Sequence, residues 1–119
     1  MAKKQDGLTL DLSKLNEINV TAKNIKNGEP KDGAYCPIAL AIQDRLAGRW
    51  DDIEVGDRYP AVEASFPVLY AGKQVGLVTG RIQLELPKLA DTFITAFDED
   101  RPVKPTKFRA RVKSVKIIN

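Results

Sequence analysis

The sequence predicts an α+β fold, a mostly antiparallel sheet with two main helices packed on one face, and three observations predict it. Arg81-Ile82-Gln83-Leu84-Glu85-Leu86 alternates polar and apolar residues at period two, the pattern of a strand that covers a core on one side only. The segments after Cys36 and after Pro87 repeat apolar residues at spacing four, the pattern of helices with one buried stripe. Between them, Gly56-Asp57 and Ala71-Gly72-Lys73 punctuate short apolar runs at a spacing typical of hairpins.

In chain order, residues 1–7 are polar and read as a flexible N-terminus, and residues 8–119 read as a single domain. A chain of 119 residues fits one core. Leu8, Leu10 and Leu12 alternate with polar residues as a first strand, and Ile18 and Val20 form a short second one. Thr21 offers an N-cap hydroxyl for a short turn through Ala22, Ile25 and Lys26, closed by Asn27-Gly28. Pro30 and Asp32-Gly33 make the next segment a loop. Pro37 suits a first helical turn, Ile38, Ile42 and Leu46 form the buried stripe, and Gly48 stops the helix. Short strands are expected at Ile53 to Val55, Val62 to Phe66, Val68 to Tyr70 and Val75 to Val78, with Pro67 and Gly80 among the breaks. Pro87 opens a second helix whose Leu89, Phe93 and Phe97 face the sheet, and Pro102 closes it. Residues 106–118 return to period two and read as one long final strand.

Composition excludes several kinds of chemistry. Histidine is absent, which removes the commonest general base and a common zinc ligand. The lone Cys36 cannot form an internal disulfide and points to a reducing, cytoplasmic compartment. No apolar run approaches the roughly 20 residues that span a bilayer, and no hydrophobic segment follows the first residues as a secretory signal would. Asp51, Asp52, Glu54 and Asp57 lack the glycine and terminal glutamate of a calcium loop. Cys36 at a helix start has no base beside it. Gly72, Gly76 and Gly80 lie among strand residues, so they form no phosphate loop. The expectation is a protein that binds rather than catalyses, without metal or cofactor.

Charge supplies the positive clue. Seven cations and no acid follow Asp100, against twelve cations and sixteen acids up to and including it. Lys107, Arg109, Arg111 and Lys113 alternate with Phe108, Ala110 and Val112, so an extended chain places all four cations on one face, about 6.6 Å apart. Such a stripe is the signature of a polyanion site, here nucleic-acid or nucleotide phosphates. Trp50, Tyr59 and Tyr70 are candidate base-stacking rings. The alternative is an oligomeric structural or protein-interaction module in which the same strand meets an acidic protein surface. Cations on an edge strand also guard against aggregation, and the acids at 51–57 or 98–100 could neutralise them.

Several segments together carry a resemblance. Ile25, Gly28 and Pro30, then Cys36-Pro37-Ile38-Ala39-Leu40-Ala41, then Leu86-Pro87, Phe93-Ile94, Phe97-Asp98, Arg101-Pro102-Val103, Pro105 and Phe108 resemble a group of small proteins encoded by tailed bacteriophages and prophages. The resemblance covers most of the chain between Ile25 and Phe108, with extra β residues between about Gly56 and Gly80. It implies phage origin and, with it, a host-directed role such as stoichiometric inhibition of a host defence protein in the host cytoplasm. The basic strand beyond Phe108 departs from the group's pattern.

Overall fold

The computed structural model describes residues 7–118, so most of the expected flexible N-terminus lies outside the described residues. The fold is α+β and built on one long hairpin. Strand β4 (Ala61–Tyr70) runs antiparallel to β5 (Lys73–Glu85), joined by Ala71 and Gly72, both at positive φ. Strand β1 (Leu8–Leu10) pairs with the far end of β4, β3 (Trp50–Glu54) with its near end, and β7 (Arg111–Ile118) with the other side of β5. A second, two-stranded sheet joins β2 (Glu17–Val20) to β6 (Thr106–Arg109).

Two expected breaks are absent. The chain runs straight through Pro67 and Gly80, making two long strands where four short ones were expected. Pro67 is tolerated because its missing N–H falls where β1 gives way to β3; its carbonyl, on that side of the strand, accepts from Asp11 N at 2.9 Å. Gly80 sits on the inner face beside Phe66 and Ile82.

Three helices form. Helix α1 (Ala22–Asn27) begins at a reciprocal cap, in which Thr21 Oγ1 accepts from Asn24 N and Asn24 Oδ1 accepts from Thr21 N. Gly28 then lies so close to Pro37 that an added Cβ would meet its ring at 2.7 Å, which ties the end of α1 to the start of the next helix. Helix α2 (Pro37–Leu46) starts at Cys36, whose Sγ accepts from Ala39 N, and ends with Ala47 in the left-handed conformation. Its Ile38, Ile42 and Leu46 are buried, as the spacing predicts. Helix α3 (Leu89–Asp98) buries Ala90 and Phe93, but Leu89, expected on that stripe, is 70% exposed at the first helical position. Phe93 meets Phe108 edge to face, with centroids 6.0 Å apart, and so ties α3 to β6.

The core lies between these helices and the inner face of the sheet, where Val62, Ala64, Phe66, Ile82 and Leu84 are buried. The outer face carries Glu63, Arg81 and Glu85 and has no covering layer among the described residues. No helix among them is long and apolar enough to cross a membrane.

Candidate anion-binding groove

The final basic segment is not one strand. At Ala110, whose N–H donates to Asn16 O at 2.8 Å, the chain leaves the two-stranded sheet and joins the main one. Phe108 and Ala110 stay buried through the crossing, while Lys107, Arg109 and Arg111 stay exposed. Alternation therefore survives although the ladder changes partner. It then breaks at Lys113: Gln83 faces Ser114 and Leu84 faces Val112, so Lys113 is the extra residue of a β-bulge. The four cations are exposed, but they are shared between two sheets and a bulge rather than aligned on a single ladder.

The crossing draws Arg109 and Arg111 together with the start of the hairpin. An open groove of about 350 Å³ is lined by Arg58, Glu85, Leu86, Pro87, Arg109, Ala110 and Arg111. Arg109 also edges a second groove with Asn16, Glu17 and Arg45, and Glu17 stands opposite it in the β2–β6 register.

Arg58 is fixed from several sides. Its backbone N–H donates to Asp91 Oδ1 at 2.9 Å, and its carbonyl accepts from Leu86 N at 2.7 Å. Its guanidinium donates to Leu86 O and to Tyr59 Oη, and lies 3.6 Å from Glu85 Oε2. Tyr59 is set by Asp57, whose carboxylate accepts from Tyr59 N at 2.8 Å. Arg58 lies 4.8 Å and Lys113 5.3 Å from the Tyr59 ring centroid, both within cation–π range.

Glu85 is the one carboxylate lining the groove, and it binds Arg111. The Arg111 hydrogen bond, reinforced by the charges of Arg111, Arg58 and Lys113, holds its carboxyl below the usual glutamate range against the opposing effect of burial. Of the acids expected to neutralise the stripe, Asp98 accepts from Lys31 N, Glu99 pairs with Arg101, and Asp52 pairs with Arg81. Glu85 was visible in the sequence on the polar face of its strand, but only the register sets it opposite Arg111.

No family model, curated protein or solved structure matches this chain. The groove therefore rests on its own geometry. Its lining holds Arg109 and Arg111 together with Arg58, which sequence reasoning missed although it adjoins Tyr59. Tyr59 and Lys113 lie beside that lining, Tyr59 through its ring contact with Arg58 and Lys113 through its contact with the Tyr59 ring. Lys107 lies one exposed step back along β6, opposite Asn19. Trp50 packs against the core, and Tyr70 sits at the far end of β4, about 30 Å along the strand from the end that Tyr59 precedes. The two rings do not share a site with Tyr59. Cys36 is buried, and burial pushes its thiol pKa up, so it is protonated rather than nucleophilic at neutral pH. No cluster of three or more metal-ligating side chains occurs among the described residues.

Proposed function

We propose that this protein is a non-catalytic binder of phosphate groups, carried on nucleic acid or a nucleotide, and that the groove lined by Arg109 and Arg111, with Lys113 beside it, receives them. The observation that carries this reading is convergence: cations from two sheets and from the Arg58 loop meet at one open groove whose lining contains a single acid. Guanidinium groups suit phosphate because they donate two parallel hydrogen bonds to its oxygens. Tyr59, beside Lys113, offers a ring edge or face to a base or sugar. The resemblance to phage and prophage proteins supports a host-directed role, a stoichiometric inhibitor that captures nucleic acid or a nucleotide messenger in the host cytoplasm.

The test is salt dependence. Engaging Lys107, Arg109, Arg111 and Lys113 predicts a slope of log affinity against log salt of about −3.6 on duplex DNA and about −2.8 on a single strand. Fluorescence anisotropy with labelled oligonucleotides measures it. Replacing Arg109 and Arg111 by glutamate should abolish binding while circular dichroism shows an unchanged fold. A slope near zero, or full binding by that variant, would overturn the proposal.

A further inference from the structure

The helices do not cover the whole inner face of the main sheet. On β7, Val115 and Ile117 stand opposite Ile82 and Gly80, and they are 45% and 48% exposed. On the hairpin's far half, Val68 and Tyr70 of β4 share that face with Leu10 and Leu8 of β1, and Tyr70 and Leu8 are 53% and 46% exposed. Val78 and Gly76 of β5 join the two ends, opposite Phe66 and Val68. These positions form a diagonal apolar band about 30 Å long at the strand rise. Among the described residues its one charge is Lys73, opposite Tyr70 at the tip.

We infer that this band is the interface of a homodimer, two copies packing inner face to inner face through their hairpin arms. Area favours it: a band of this length, some three strands wide, offers on the order of 500 Å² per copy, and two of them bury about the 1,000 Å² that a specific interface needs.

Charge decides against the competing self-contact. The free edge of β7 carries Arg111, Lys113 and Lys116, and a second β7 added antiparallel would bring like charges together across a strand already bent by its bulge. Nucleic acid is no match for a face with one lysine. The dimer is independent of the proposed phosphate groove, which lies at the opposite end of the hairpin from Tyr70.

The experiment is sedimentation equilibrium of the full chain at micromolar concentration, in low and high salt. The expected result is a species of twice the 13.2 kDa chain mass that persists in high salt, because the contact is apolar. Ile117→Glu and Tyr70→Glu, both at exposed positions, should each weaken dimerisation by a hundredfold or more on the order-of-magnitude scale for burying an unpaired charge, with unchanged circular dichroism. The inference is overturned by a monomeric wild type, including one that retains a different protein on this band. It is equally overturned by a dimer that dissociates in salt, or by dimers that tolerate both substitutions.

Discussion

Glu85 stands directly opposite Arg111 in the β5–β7 register, and its carboxylate accepts the guanidinium's hydrogen bond at the mouth of the basic groove. The carboxylate thus occupies the kind of position that a ligand phosphate would take. Replacing it by glutamine removes the one acid of the groove lining and frees Arg111. The expected outcome for Glu85→Gln is oligonucleotide affinity raised about tenfold at low salt, with a steeper salt slope and convergence with wild type at high salt. Anisotropy titrations at several salt concentrations measure this, and an unchanged or weakened affinity would place the phosphate elsewhere.

The same pair sets a pH dependence. Arg111 holds the Glu85 carboxyl below its ordinary range, so folding favours the ionised form. The stability that this supplies is fully present above the unfolded glutamate value of about 4.3, and it is lost as pH falls through the lower folded value. The difference in melting temperature between wild type and Glu85→Gln should therefore be constant near neutrality and shrink only at distinctly acid pH. Arg111 is mostly solvent-exposed, so the difference is small throughout.

Much of this was legible from residue patterns, and the failures have physical reasons. Helix α2 was legible because Pro37, the spacing of Ile38, Ile42 and Leu46 and the stop near Gly48 all agree. The run from Arg81 to Glu85 was legible because its alternation is uninterrupted. Pro67 misled because a local rule against proline in strands does not know which neighbours lie beside it. Period two continued across residues 106–112, so the sheet change at Ala110 was invisible: burial alternates alike in either sheet. The groove was half legible. Cations cluster in the sequence, but Arg58 and Glu85 reach them only through pairing.

Asn24 is a buried polar residue whose side chain has two partners, its Oδ1 accepting from Thr21 N and its Nδ2 donating to Asp44 Oδ2, while its backbone N–H donates to Thr21 Oγ1. Asn24→Ala removes a cap and leaves Asp44 short of a donor, and should cost about 2 kcal/mol. Asn24→Asp keeps the acceptor facing Thr21 N but sets a second carboxylate against Asp44. It should be the more destabilising variant at neutral pH and recover on acidification, whereas the alanine variant should not recover. Thermal melts of both variants across pH separate the two effects.

The bulge at Lys113 offers a test by deletion. The apolar phase of β7 shifts across it, from Val112 on the inner face to Val115 and Ile117 on the same face, one residue out of step with strict alternation. Removing Lys113 leaves Arg111 outer, Val112 inner, Ser114 outer and Val115 inner, an unbroken ladder in which every later residue keeps its face. Deleting Lys113 should therefore leave the melting temperature within a few degrees of wild type, since no apolar residue leaves the core and one irregular pair becomes regular. Deleting Lys116 instead turns Ile117 outward and should be felt in the sheet. Loss of Lys113 also straightens a free edge and removes one of its charges, so the shortened protein should aggregate more readily on prolonged heating and bind oligonucleotide with a shallower salt slope. If its fold collapsed instead, the extra residue would be required by β7 itself rather than tolerated at its edge.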